Sequence, residues 1–489
     1  MRKALLLFSA ASLAVLPSAV SAQYPVRTID PRLAAEAQKE HAELVEEYGG
    51  AETGQRAAYV DSVGRRVAAY SGLANPASAY RFTLLNSAVE NAFSVPGGYI
   101  YVTRQLLTLM NDESQLAFAL GHEVGHVAAG HAQARERVAQ RNTIGEILGS
   151  ILGTFIGGGF GNAIAQMSER NALLRTLSFS REQEYESDTL GLRYMIGAGY
   201  DPAGAAGILE ALTRNTALQT RIQGQDNRQL PEWASTHPLS SNRMQRALQA
   251  ARATGRMGTG ITNRDQFLNQ LDGVFVDDDP AQGVIDGRTF THPDLRIQFT
   301  VPVGYLMQNG TREVTIAGSA GKAQFGGGRY RGTLENYIYA AMRELGGRNQ
   351  LAAPPPQRIM INGIPAAYTV ARASTSSGVV DVGVIAYQWS PDTVYHFLTL
   401  TSAGTGIGPF GSMVNSLRRI STAEAAAIRP RIIDVVTVKA GDTVQSLASR
   451  MAYRDFRTER FLALNGLAAN SRLAPGQRVK LVVYGTRRA

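Results

Sequence analysis

His122-Glu123-Val124-Gly125-His126 is the stretch of this chain best suited to chemistry. Residues i and i+4 project side by side at about 3.6 residues per turn, so on a helix the two imidazoles form a pincer for a divalent metal ion. Glu123 lies at the edge of the same face, where its carboxylate can reach a water at the metal without displacing it. The helix is legible around the motif. Asp112 is placed to cap it, Gln115 follows three residues later in a capping-box arrangement, and Leu116, Leu120, Val124 and Val127 recur at helical spacing.

A pincer of two histidines needs a third ligand to make a catalytic zinc site with one open position. Ser180-Arg181-Glu182-Gln183-Glu184-Tyr185-Glu186-Ser187-Asp188 offers it, because Glu184 and Asp188 again stand at i and i+4. Glu184 can close a His₂Glu set, while Asp188 can accept the other ring N–H of a ligating histidine and fix its tautomer. Glu182 and Glu186 fall on other faces and are expected in solvent. His131 is the tempting alternative. Five residues advance about 140° round a helix, which turns it off the His122/His126 face. The metzincin pattern would also need glycine and histidine where Ala129 and Ala132 stand, so His131 is expected to pack or to face solvent.

The elements that must position these groups come first in the chain. Leu33, Ala37, Leu44 and Val45, then Val60, Val63 and Val67, form apolar stripes of scaffold helices. Tyr80 to Leu85 alternates like a strand. Asn91 to Val95 is followed by the turn Pro96-Gly97-Gly98 and by Tyr99-Ile100-Tyr101-Val102, so a small antiparallel sheet leads into the zinc helix. If Tyr99, Ile100, Tyr101 and Val102 form an edge strand, their free backbone groups can hold an extended peptide. The plainer reading is a structural hairpin.

Composition bounds the setting. Arg2 and Lys3 precede an apolar run, and Val20-Ser21-Ala22 ends it in the manner of a cleavable secretory signal. The chain of 489 residues contains no cysteine, which excludes a lipoprotein anchor at the cut site, disulfides, and cysteine as ligand or nucleophile. A formal charge of +9, scattered except around Arg418, Arg419, Arg429 and Arg431, suits solubility and mild attraction to anionic wall or membrane surfaces. Nucleic acid is not an expected partner of an exported chain. Residues 144–164 are apolar but broken by glycine and carry Glu146. They read as helix packing or a lid, with peripheral contact to a membrane or apolar substrate as the alternative.

HEVGH followed by ExxxD in EYESD, with NAF…PGG and a hydrophobic strand ahead of the first motif, resembles the gluzincin metallopeptidases of the HtpX and BepA type, relatives of the CAAX prenyl protease. The resemblance covers roughly Gln23 to Gly255. It implies a zinc endopeptidase with His122, His126 and Glu184 as ligands and Glu123 as catalytic base. Ser187 stands where the family usually has alanine. The lack of a multi-span bundle places the chain with the periplasmic branch. That branch carries a His-Pro after ExxxD, matched by His237-Pro238; His237 would either cap the open zinc position as a switch or steady the oxyanion.

Two further units follow. Asp277-Asp278-Asp279-Pro280 marks a boundary turn. Alternating runs at 296–301, 380–388 and 394–400, with a helix from Leu334 to Leu345, suggest a compact α+β domain vaguely similar to small PsbP-type sheets. Val435 to Val444, then Phe461-Leu462-Ala463-Leu464-Asn465-Gly466 and Leu473-Ala474-Pro475-Gly476-Gln477, resemble a LysM module, with a cap expected at Asp442. That resemblance implies binding of peptidoglycan, or a LysM-like fold used only for packing.

The fold class expected is α+β and multidomain: a mainly helical zincin peptidase domain with a small antiparallel sheet, an α+β domain, and a βααβ LysM module. The boundaries expected are a signal peptide at 1–22, the peptidase at 23–255, a linker at 256–288, the α+β domain at 289–421, a linker at 422–433 and LysM at 434–485. The function expected is a periplasmic, zinc-dependent endopeptidase acting on misfolded or unassembled envelope proteins. The alternatives are a non-catalytic wall-associated chaperone and a zinc cell-wall hydrolase.

Overall fold

The computed structural model describes residues 27–132, 179–223, Trp233, His237, 241–346, 351–375 and 378–486. The expected signal at 1–22 and the glycine-rich stretch 144–164 lie outside them.

The first unit packs helices around one small sheet. Its helices are α1 (Pro31–Glu47), α2 (Gln55–Ala68), α3 (Pro76–Ala79), α4 (Arg104–Leu109), α5 (Glu113–Ala129), α6 (Arg181–Gly197), α7 (Ala203–Gln223) and α8 (Ser241–Ala253). Leu33, Ala37 and Leu44 are buried on α1, as are Val60, Val63 and Val67 on α2, which is what the stripes predict. Helix α5 carries the HEVGH motif and is buried along nearly its whole length. A helix apolar on most sides belongs in a core, and this one is enclosed by α2, α6, α7 and the sheet. Asp112 caps it by accepting the Gln115 N–H at 3.1 Å, and Gly130 ends it in the left-handed region at φ 70°.

The sheet consists of β1 (Arg81–Leu85), β2 (Ala92–Val95) and β3 (Tyr99–Thr103) in the order β1-β3-β2. It corrects two expectations. β2 and β3 are antiparallel, but β1 runs parallel to β3, so the sheet is mixed. Tyr99, Ile100, Tyr101 and Val102 are not at an edge; they form the central strand, paired on both sides. Alternation reveals which side chains share a face, not strand direction or order. The connection through 86–91 carries the chain past the place of β3, and the Pro96-Gly97-Gly98 turn folds β3 back into the gap. Gly98, at φ +87°, is required there, since a Cβ would stand 2.0 Å from the Ala79 carbonyl oxygen. The edge strand beside the HEVGH helix is therefore β2.

Residues 256–288, expected as a linker, hold helix α9 (Arg264–Leu271) and strands β4 (Phe275–Val276) and β5 (Val284–Asp286). β5 starts a four-stranded sheet with β6 (Thr289–His292), β7 (Ile297–Thr300) and the short pair Arg418–Arg419. Beside it lies a seven-stranded antiparallel sheet in the order β11-β12-β13-β14-β10-β9-β8. Its strands are β8 (Leu306–Asn309), β9 (Val314–Gly318), β10 (Gly321–Arg329), β11 (Gln357–Ile361), β12 (Ile364–Thr375), β13 (Gly378–Ser390) and β14 (Thr393–Ser402). One face buries Ile338, Ala341 and Met342 of helix α10 (Leu334–Gly346). The other face meets Phe290 and Phe299 of the smaller sheet.

The C-terminal unit is βααβ: β15 (Arg431–Thr437), α11 (Val444–Ala448), α12 (Arg457–Leu464) and β16 (Arg478–Tyr484). Its first strand begins inside the second expected linker, 422–433, which also contains a capped helix at Thr422–Ala426. Thr443, not Asp442, caps α11; Asp442 instead accepts the Lys439 N–H.

This unit is built into the first one. β4 pairs with β15, making a third strand of its sheet. Lys480 is fully buried and donates from Nζ to the carbonyls of Thr108 and Met110 at 2.7 and 2.5 Å, where α4 ends and α5 is about to begin. Arg214 of α7 reaches the Leu467 carbonyl, and Arg478 reaches Asn269 of α9. A single cluster of buried side chains runs from Val63 and Leu120 through Phe267 and Val276 to Phe461 and Leu481. A chain truncated after residue 430 is expected to lose several kcal/mol of stability, since it exposes that shared apolar surface at about 25 cal/mol per Å². Thermal unfolding checks this: a detachable tether would leave the melting temperature of the remainder unchanged.

Candidate metal centre

Helices α5 and α6 cross at glycines, and this close approach brings the HEVGH and EYESD motifs together. A Cβ on Gly191 would lie 2.8 Å from the His122 nitrogen, and one on Gly121 3.1 Å from the Gly191 carbonyl oxygen. Helix α6 is registered by a capping box in which Ser180 and Gln183 exchange side-chain and backbone hydrogen bonds.

His122, His126, Glu184 and His237 each aim one ligand-type atom at a common point, all within 4.8 Å of one another and all buried. The Nε2 atoms of His122 and His126 are 3.0 Å apart. Glu184 approaches them at 3.5 and 3.6 Å. His237 Nδ1 stands 3.4 Å from His122 Nε2 and 3.1 Å from Glu184 Oε1. Two rings hold the imidazoles in place: Phe179 stacks on His126 at 3.7 Å between centroids, and Trp233 on His237 at 4.5 Å.

Around this group, His122 Nδ1 lies 3.0 Å from Asp188 Oδ1, the contact expected of Asp188. Arg243 of α8 is 2% exposed and grips Asp188 with two nitrogens at 2.7 and 2.8 Å, while a third reaches Glu184 Oε2 at 2.6 Å. Glu123 points to the same centre. Its Oε2 accepts from Ser94 of β2 at 2.9 Å; its buried Oε1 has no hydrogen-bond partner among the described residues and lies 3.4 Å from His237 Nε2.

The electrostatics fit a dication. Three buried carboxylates, Glu123, Glu184 and Asp188, face one guanidinium. Burial pushes the Glu123 carboxyl up despite His237 and His122 nearby. Burial opposes ionisation of Glu184 too, but His237, His122 and Arg243 outweigh it and hold that carboxyl well below the usual range. Burial, helped by His122, keeps His126 well below its ordinary value, so its lone pair is free. His122 goes the other way: burial lowers it, but Asp188 and Glu184 prevail and lift it to about 9. A buried carboxylate oxygen with no hydrogen-bond partner among the described residues is what a divalent cation would relieve.

Of the residues singled out by sequence, His122, His126, Glu184, Asp188, Glu123 and His237 converge. Tyr99, Ile100, Tyr101 and Val102 do not, because they are central in the sheet. Arg243, Ser94, Phe179 and Trp233 were not legible as site residues. Nothing in the spacing of α8 separates Arg243 from Arg246 or Arg252.

The profile of Peptidase family M48 matches residues 54–251, which hold this whole cluster, and that of the LysM domain matches 436–482. The chain carries a peptidase family M48 domain. The Beta-barrel assembly-enhancing protease of Escherichia coli (strain K12) is 29% identical over 198 residues, covering 38% of this chain and 37% of that protein. The Mitochondrial metalloendopeptidase OMA1 of Arabidopsis thaliana is 32% identical over 167 residues, covering 34% and 30%. The chain thus spans little more than a third of the bacterial relative's length. Among solved structures, cyanobacterial PsbP from Synechocystis sp. PCC 6803 overlaps 28% of this chain and 98% of its own at 11% identity and a TM-score of 0.24. No helix among the described residues is long and apolar enough to cross a membrane.

Proposed function

We propose that this protein is a zinc-dependent endopeptidase of the cell envelope. The observation that carries the reading is the buried convergence of His122, His126 and Glu184 on one point with the free oxygen of Glu123 beside it. In this reading the first three hold zinc, Asp188 orients His122, and Arg243 fixes both carboxylates. Zinc so held supplies Lewis-acid polarisation of a carbonyl and acidifies a water at its open position to a pKa of about 7. Glu123 Oε1 takes the proton of the attacking water and returns it to the departing amine. Ser94 holds the other oxygen and keeps the carboxylate aimed.

His237 Nδ1 crowds the same point in this conformation, 3.4 Å from His122 Nε2 and 3.1 Å from Glu184 Oε1, so it would have to swing aside to admit water and substrate to a metal held there. An extended polypeptide is best received along β2: this edge strand borders the centre, and its Ala92 carbonyl lies 3.3 Å from His237 Nε2. The C-terminal unit, matched as a LysM domain, supports attachment to peptidoglycan. That attachment and the name of the bacterial relative favour a periplasmic protease acting on misfolded or unassembled envelope proteins.

The test is incubation of the purified chain with casein and, separately, with purified sacculi. The protease reading expects casein fragments that a chelator suppresses and zinc restores, with no muropeptides released. Muropeptides without casein fragments would point to a wall hydrolase, and casein bound but uncut in any metal state to a chaperone.

The elevated His122 makes metal uptake pH-dependent. Below about 9 that ring holds a proton which zinc must displace, so affinity is expected to rise about tenfold per pH unit towards 9 and to flatten above. Competition with a chromophoric chelator across that range measures the slope; a flat profile would show that no ligand proton is displaced.

A further inference from the structure

His126 raises a question that His122 does not. When a histidine binds metal through Nε2, its Nδ1 carries the one remaining ring proton, and a buried N–H needs an acceptor. For His122 that acceptor is the Asp188 carboxylate. Among the described residues, no carboxylate is placed to serve His126 Nδ1. The atom facing its Nδ1 is Nδ1 of His131, at 3.0 Å.

We propose that His131 is the positioning residue for His126: its Nδ1 lone pair accepts the His126 Nδ1–H, and its own Nε2–H donates to Glu186. The inference rests on the reading of His126 as a metal ligand. The geometry leaves one consistent arrangement of protons. His131 Nε2 lies 3.2 Å from Glu186 Oε2, a carboxylate that only accepts, so the His131 proton belongs on Nε2 and its Nδ1 is free to accept. Ser187 Oγ, 3.3 Å from the same Nδ1, supports the ring, and Gln183 donates to the His131 carbonyl at 3.4 Å. His131 is 4% exposed and meets His126 edge to face, with ring centroids 5.0 Å apart.

The helical projection that turned His131 away from the metal face fails for a definite reason. Helix α5 ends at Ala129, and Gly130 in the left-handed region redirects the chain. The spiral does not continue to 131, and the imidazole comes back beneath His126.

A neutral imidazole in this place has a charge rationale. Three carboxylates already crowd the centre against one guanidinium, and a fourth beside His126 would be buried with no partner. Relaying through His131 places the next negative charge on Glu186, whose side chain is 60% exposed. The site thereby orients both histidines while adding only one buried anion to do it.

The test uses the full-length mature protein and reads zinc affinity by chelator competition, the melting temperature of the metal-free form, and kcat and KM separately. His131→Phe, which fills the space and removes the acceptor, is expected to weaken zinc binding about 10–100-fold. The metal-free melting temperature and the KM of the zinc-saturated enzyme stay close to wild type. His131→Gln, whose amide oxygen can accept, should recover most of the affinity. Unchanged zinc affinity in His131→Phe overturns the inference while leaving the metal site standing. A wild-type chain that takes up no zinc overturns the reading of the site itself. If His131→Phe does not fold, nitrogen-15 shifts of the wild-type zinc form decide. The proposal requires the His126 proton on Nδ1 and the His131 proton on Nε2; a His131 proton on Nδ1 refutes it.

Discussion

Glu123→Gln is expected to bind zinc as the wild type does and to lose about 10²–10⁴-fold of its turnover, the range for removal of a positioned general base. At the upper end that is about 5 kcal/mol of transition-state stabilisation. The amide fits where the carboxylate was: its oxygen can still accept from Ser94, whose hydroxyl is 2.9 Å away. What it cannot do is take a proton, and the oxygen lost from service is the one without a partner in the buried centre. Metal analysis and casein cleavage on the same preparation separate the two effects. An inactive, metal-free variant would make Glu123 a ligand, and a fully active one would end its assignment as base.

The second large effect concerns Arg243, which touches no atom assigned to the reaction. Its guanidinium, 2% exposed, reaches both Glu184 and Asp188. Arg243→Met keeps much of the volume and leaves two buried carboxylates uncompensated, a loss of about 3–5 kcal/mol when a buried pair is broken from one side. For a domain of this size that lowers the melting temperature of the metal-free protein by on the order of 10 °C. Zinc is expected to restore part of the loss, because a dication can take over the charge. Arg243→Lys falls between, since an ammonium cannot form the bidentate fork to Asp188. Scanning calorimetry with and without zinc measures both numbers. A metal-free Arg243→Met protein that melts with the wild type would mean the carboxylates carry no charge in the folded state.

The convergence of the trio proposed to hold the metal was readable because both motifs are helical i, i+4 pairs, and helical periodicity puts such pairs on one face whatever surrounds them. Asp188 followed from the same rule. His131 packs outside the ligand-type group, as expected, but its contact with His126 was not legible, because the helical projection stops applying at the glycine that ends the helix. Arg243 was invisible, since its role depends on α8 lying across α6, and contacts between helices leave no trace in the spacing of either one. The strands of the small sheet were found, but their order was not: alternation is the same for a central and an edge strand, and only the 86–91 connection decides that β2 borders the centre. The linkers at 256–288 and 422–433 looked like spacers because their elements are short. They are held by neighbours, as in the pairing of β4 with β15, and not by their own periodicity.

The metal content of the purified wild-type chain beside that of Glu184→Ala tests most directly whether the two histidines and Glu184 hold zinc. The account predicts about one zinc per wild-type chain and little or none in the variant, because the carboxylate from the second helix completes the grip of the two histidines. Full zinc occupancy in Glu184→Ala, or a wild-type chain that cleaves casein after its metal has been stripped, would contradict it.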